Sequence, residues 1–321
     1  MKILAYIIAG LAALLGAGYV WLMFNGTTSL SREALSEYEY ETLTLPGPMQ
    51  VNYRVLGNPD GPAVLMIHGA GGSLDDWKPW LPALEGKYRL HLVDFPGHGL
   101  TDPLINERYR PSRFAEFIRD VVNELGLKDF TIIAHSFGGD SALRYALAYP
   151  DQPKAMVLVA SGGFRPPDDK IPEDEKELAI WAKLGLSRTL LPFLQNRDVV
   201  RETVDLYFYN KSANTDAYVD KVYNLLRYKK NRGVMVELLA HSLNAYVNVS
   251  GLDRLTFPTL VLWGDKDPVV PLEFARKFEH ELPDVRLKVY PNVGHMVFME
   301  NTEQSAADVT DFLHEVYQGD D

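Results

Sequence analysis

Residues 130–139 read Phe-Thr-Ile-Ile-Ala-His-Ser-Phe-Gly-Gly, an apolar, β-branched run that stops abruptly at a small residue, a histidine and a serine. A helix-like stretch follows. That order predicts a strand, a sharp turn and a helix, with Ser136 at the turn. A serine hydroxyl is a poor nucleophile and needs exposure, a base and nearby backbone donors. A strand-to-helix elbow exposes it and places the N–H groups of the helix start beside it. Small residues at 134 and 138 let neighbouring backbone pack close to the turn. The competing reading is a serine that only caps a buried helix, and the partners found further along the chain decide against it.

Other segments repeat the strand-then-helix order. Residues 63–67, 89–93, 131–134, 155–160, 259–263 and 287–290 are short apolar runs of the kind that form fully buried strands, and helical patterns lie between most of them. Residues 39–45 and 50–56 read as two further strands joined through Gly47-Pro48. Eight strands alternating with helices predict a mostly parallel sheet covered on both faces. The alternation fails between about Phe164 and Leu252. Helical periodicity over 177–193, 198–209 and 216–241 predicts a helical cap inserted before the last two strands. The expected organisation is therefore a core of residues 38–163 and 252–321 with a cap over 164–251.

The chain has 321 residues, of which 46% are apolar, which suits one large domain carrying an insertion. A net charge of -11 argues against a nucleic-acid partner. There is no cysteine, so a disulfide framework, a thiolate metal site and a cysteine nucleophile are all excluded. No histidine pair has metal-ligand spacing, and no phosphate-loop lysine pattern is present; neither a metal nor a cofactor is expected. Nothing in the sequence calls for an obligate protein partner.

The N-terminus points to a membrane. Residues 3–24 carry no charge, and a helix of that length rises roughly 33 Å, about one bilayer core. Lys2 precedes the run and acidic residues follow it, which predicts a single-pass anchor (residues 1–24) oriented N-in, C-out with an extracytoplasmic enzyme domain. A cleaved signal peptide leading to secretion is the alternative, but the apolar run outlasts the usual 7–15-residue h-region. Residues 25–37 read as a polar spacer.

A serine nucleophile needs a base oriented by a carboxylate, and in an open α/β sheet such groups gather at the strand ends. The strand at 259–263 ends in Gly264-Asp265-Lys266-Asp267-Pro268, and the strand at 287–290 is followed by Pro291-Asn292-Val293-Gly294-His295. Ser136, Asp267 and His295 then stand in the chain order that this elbow architecture requires. An oxyanion hole needs two backbone N–H donors. Phe137, directly after the serine, supplies one. Ala70, in the glycine-rich loop His68-Gly69-Ala70-Gly71-Gly72, is expected to supply the other. Phe137 and Met296 flank the catalytic residues and are expected to touch substrate. His68 and His135 are expected to support the site through hydrogen bonds, and Asp94 to tie down the turn after its strand.

These motifs, together with Asp94-Phe95-Pro96-Gly97-His98-Gly99 and Val270-Pro271, resemble the α/β-hydrolase fold superfamily, serine esterase/lipase type, over about residues 50–315. Ala134 departs from the glycine usual at that elbow position. The resemblance favours Asp267 over Asp265 as the acid, because in the family the acid precedes a hydrophobic-Pro turn. With the anchor and the cap, it suggests the monoacylglycerol lipase-like branch. The resulting expectation is a serine hydrolase, carboxylesterase/lipase-type, cleaving small-molecule carboxylic esters through an acyl-enzyme on Ser136. Two rivals remain: a C–C bond hydrolase of ring-cleavage products that reuses the same triad, and a non-catalytic hydrolase-fold binding protein.

Overall fold

A computed structural model describes residues 28–104, 109, 111–165, 196–235, 237–238 and 248–318. Eight strands form one sheet: β1 (Glu41–Leu45), β2 (Met49–Gly57), β3 (Ala63–Ile67), β4 (Arg89–Val93), β5 (Phe130–His135), β6 (Pro153–Val159), β7 (Thr259–Gly264) and β8 (Val285–Tyr290). Their spatial order is β1-β2-β4-β3-β5-β6-β7-β8. β1 lies at one edge and pairs antiparallel with β2, β2 pairs antiparallel with β4, and β3 through β8 run parallel. The apolar runs become the fully buried strands β3, β5 and β7 because both faces of the sheet are covered.

The chain leaves β3 for β4 on one side and then returns to place β5 on the other. This reversal sets the loop after β3 beside the loop after β5, since Ile67 pairs with Ala134 in the parallel ladder. Such a switch point is where an open α/β sheet collects its functional loops.

On one face of the sheet, α1 (Pro111–Glu124), α2 (Phe137–Ala148) and α5 (Leu272–Glu281) bury Phe114, Leu143 and Phe278 against the strands. On the other, Trp77, Trp80 and Phe298 stack with Val309 and Phe312 of α6 (Thr302–Gln318). The described part of the segment between β6 and β7 contains α3 (Arg197–Asp205) and α4 (Asp216–Leu226). Asn196 caps α3 by accepting from Val199 N–H, and Thr215 caps α4 by accepting from Tyr218 N–H. Val200, Val204, Val219 and Val222 on these helices extend the second core cluster.

Three expectations meet the structure differently. The helix predicted over 177–193 lies outside the described residues. The helix predicted over 216–241 stops at Leu226, because Tyr228 leaves the helix to form an isolated parallel bridge with Leu30. Leu30 N–H donates to the Arg227 carbonyl at 2.8 Å, and Lys229 N–H donates to the Leu30 carbonyl at 3.0 Å. The membrane-anchored, extracytoplasmic placement is corrected: among the described residues no helix is long and apolar enough to cross a membrane. The segment on which that expectation rested, residues 1–24, lies outside the described residues.

Candidate active site

Ser136 sits between β5 and α2 with φ 53° and ψ -121°. A positive φ on a residue bearing a Cβ is strained and persists only where the surroundings enforce it. Here they do. Ser136 N–H donates to the Val159 carbonyl, and the Ser136 carbonyl accepts from Gly139 and Gly162 N–H, all at 2.9–3.0 Å. The two glycines of the elbow are forced by close approach. A Cβ on Gly138 would lie 2.3 Å from the His68 carbonyl oxygen, and one on Gly139 would lie 2.1 Å from Ser161 Oγ. Ser136 itself is partly exposed, although the β5 residues before it are buried.

His295 and Asp267 meet across the ends of β8 and β7. His295 Nδ1 and Asp267 Oδ2 are 2.8 Å apart, with both side chains almost wholly sequestered. Asp267 Oδ1 accepts from the N–H groups of Val269 and Val270 at 2.8 and 2.9 Å. The carboxylate is thus fixed by backbone on one oxygen and presents the other to the imidazole. Asp265 is occupied elsewhere: it accepts from Asn292 N–H and pairs with Lys266. With Nδ1 engaged, His295 retains Nε2 for proton transfer, and both it and Ser136 line one cavity of about 190 Å³.

The loop after β3 is organised by His68. This ring is fully buried, and burial pushes its pKa down to about 4, so it is neutral. Its Nε2 accepts from Phe95 N–H at 3.0 Å, which requires the proton to be on Nδ1. Nδ1–H in turn reaches the Gly69 carbonyl at 2.7 Å, which also accepts from Gly72 N–H. The C=O and N–H of a trans peptide point in opposite directions. Holding the Gly69 carbonyl toward His68 therefore turns the Ala70 N–H the other way. The Phe137 N–H, at the first position of α2, has no intrahelical acceptor.

His135 lies under the site, its ring 4.6 Å from that of His295, and its Nε2 is 3.2 Å from the His295 carbonyl oxygen. Burial holds it well below the ordinary histidine pKa. Asp94 accepts from Leu74 N–H, Leu100 N–H and Asn52 Nδ2, tying the turn after β4 to β2 and to the loop after β3. Burial raises its pKa to about 7.

Ala70 and Met296 line the cavity. The Phe137 side chain is not among the lining residues; it packs edge-on against Phe95 and Phe114. Its backbone stays at the elbow while the ring joins the core. The opposite wall comes from the cap, where Val200, Val204, Tyr207, Tyr218, Val222 and Leu226 make a mostly apolar surface. Among the aromatic residues of this segment, Tyr207 and Tyr218 line the cavity, while Trp181 and Phe193 lie outside the described residues. The valines were missed, because their spacing on α3 reads equally well as ordinary helix packing.

Asp76 was missed as well. It lines the cavity and pairs with Lys221 of α4, both side chains being nearly buried. Its other oxygen, Oδ2, accepts from Ser73 N–H at 3.2 Å. A capping-box spacing at Ser73–Asp76 was the available signal.

Residues 62–302 match the alpha/beta hydrolase fold family. The chain belongs to that family and is a hydrolase. It is similar to the 2-hydroxy-6-oxononadienedioate/2-hydroxy-6-oxononatrienedioate hydrolase of Cupriavidus pinatubonensis, with 28% identity over 78% of this chain and 86% of the relative. It is also similar to the 2-hydroxy-6-oxo-6-phenylhexa-2,4-dienoate hydrolase of Burkholderia cepacia, with 25% identity over 89% of this chain and 99% of that one. Among solved structures, a meta-cleavage product hydrolase from Pseudomonas fluorescens superimposes with a TM-score of 0.75, covering 87% of this chain and 99% of its own. At 23% identity that likeness speaks for the fold. The sequence relatives overturn the carboxylic-ester expectation, since they are named for substrates that contain no ester.

Proposed function

We propose that this hydrolase cleaves a carbon–carbon bond in a 2-hydroxy-6-oxo-dienoate, the substrate class for which its sequence relatives are named. The observation that carries the reading is that these relatives align across most of the chain. The chemistry is consistent with it. Such a molecule offers water a ketone at C6, and hydrolysis to an acid there must break the C5–C6 bond. In the 2-oxo-3-ene tautomer, the electron pair left on C5 delocalises to the C2 oxygen, so carbon becomes a competent leaving group.

The residues take the following roles. His295, held by Asp267, accepts the Ser136 proton as Oγ adds to C6. The N–H groups of Ala70 and Phe137 receive the oxyanion. Ketonisation first moves the 2-hydroxyl proton to C5; the C5–C6 bond then breaks, and the dienolate left behind takes the His295 proton on its C2 oxygen. Water then releases the acid from Ser136, with His295 again as base. The core (38–163 and 252–321) supplies the chemistry and the cap (164–251) shapes the substrate pocket, with Met296 at the floor between them.

The test is direct. Purified protein is mixed with the phenylhexadienoate and the nonadienedioate, and loss of the dienoate absorbance is followed. Cleavage is expected, with a loss of about 10³-fold or more in Ser136→Ala. Failure to cleave either compound, by protein whose Ser136 reacts with a fluorophosphonate probe, would overturn the proposal.

A further inference from the structure

Glu300 lies outside the reacting groups, yet it bonds both to the loop that carries His295 and to the segment between α3 and α4. It ends the one-turn helix Val297–Glu300 that follows the catalytic histidine. Its Oε1 accepts from Gly294 N–H at 3.0 Å, and its Oε2 accepts from Asn210 N–H at 2.8 Å. Gly294 immediately precedes the base, whereas Asn210 belongs to the strap between α3 and α4. Burial pushes the pKa of this half-buried carboxylate up, and the backbone N–H groups of Asn210, Gly294, Tyr209 and Met296 pull against that rise. Beside it, His295 N–H donates to the Tyr207 carbonyl at 2.8 Å. Hydrogen bonds to an ionised carboxylate are roughly twice as strong as neutral ones.

Gly294 shows how closely the two pieces approach. A Cβ there would lie 2.5 Å from Tyr209 N, 2.7 Å from Glu300 Oε1 and 2.9 Å from the Tyr207 carbonyl oxygen. The glycine before the base is required by the cap strap passing against it. It is not among the glycines with positive φ, so turn geometry does not demand it.

We propose that Glu300 is a positioning residue whose carboxylate clips the His295 loop to the strap Tyr207–Asn210, so that the base is correctly placed only while the cap strap is seated. The proposal rests on the serine–histidine–aspartate reading given above. A glutamine at 300 offers a single acceptor and turns an NH₂ donor toward an N–H donor, so it breaks one half of the clip.

The test compares wild type, Glu300→Gln and Gly294→Ala; the last keeps the carboxylate and pushes the strap away. Three quantities are read: the rate of Ser136 phosphonylation by a fluorophosphonate, kcat and KM on the dienoate, and amide deuterium exchange over 207–210 and 294–296. Both variants are expected to lose about a hundredfold in labelling rate and in kcat. KM should stay near the wild-type value, and exchange should rise in both segments together. Wild-type labelling and kcat in a folded variant would overturn the clip, as would faster exchange confined to one segment. Should Glu300→Gln fail to fold, Gly294→Ala decides by the same readouts. Wild type that labels at Ser136 but cleaves no dienoate would overturn the carbon–carbon reading alone, because labelling still reads the clip.

Discussion

The two walls of the cavity are built by different physics. The core wall is a set of backbone groups and polar side chains held by directed hydrogen bonds: the Ser136 elbow, the Gly69 peptide fixed by His68, and His295 fixed by Asp267. The cap wall is largely apolar, with Val200, Val204, Val222 and Leu226 held by packing. Directed bonds set atoms to within fractions of an ångström, as reaction geometry demands. Packing sets a shape, and shape discriminates substrates more gently. Activity should therefore collapse on damage to one wall and shift on damage to the other.

The sharpest way to break this contrast is Asp267→Asn. The amide leaves the fold in place but presents the wrong partner to His295 Nδ1, and kcat should fall by about 10⁴-fold with little change in thermal stability. A loss similar to that from trimming the cap would erase the distinction. Next in size is Lys221→Met, which attacks the tie between the walls. It strands Asp76 as an unpaired buried carboxylate, so stability measured by denaturant should drop by about 3–5 kcal/mol. An unchanged midpoint would mean that water reaches the pair. The smallest effect belongs to Val204→Ala on the cap wall. Removing two methyl groups should alter kcat/KM for a bulky 6-substituent by about 1–3 kcal/mol, and the ratio between phenyl and carboxyalkyl substrates should move with it. If both substrates changed equally, Val204 would not be sensing the 6-substituent.

The same contrast explains what could be read from the sequence. The strands were legible because a parallel sheet covered on both faces writes itself as short, unbroken apolar runs, and each such run became a strand within about two residues of its expected ends. Ser136, Asp267 and His295 were legible as a group because their chain order and loop positions follow from the topology; the structure brings Asp267 and His295 into contact. Glu300 was not legible, since a lone acid on a helical stretch reads as a solvated surface residue. The helix break after Leu226 depends on a partner, Leu30, almost two hundred residues away in sequence. The choice between ester and carbon–carbon cleavage was invisible for a chemical reason. Both reactions ask the triad for the same service and differ only in the leaving group, which the motifs do not describe.

The bridge between Leu30 and Tyr228 has a mechanical meaning. Residues 28–30 are fastened to the cap at Arg227 and Lys229, just past the end of α4, whose Val222 and Leu226 face the cavity. Tension or torque arriving through the N-terminal segment is thus delivered to the roof of the pocket before it reaches the sheet. A fusion partner, a surface attachment or a truncation placed just ahead of residue 31 is expected to act as a lever on the substrate chamber, whereas the same change after α6 pulls on a helix packed against the sheet.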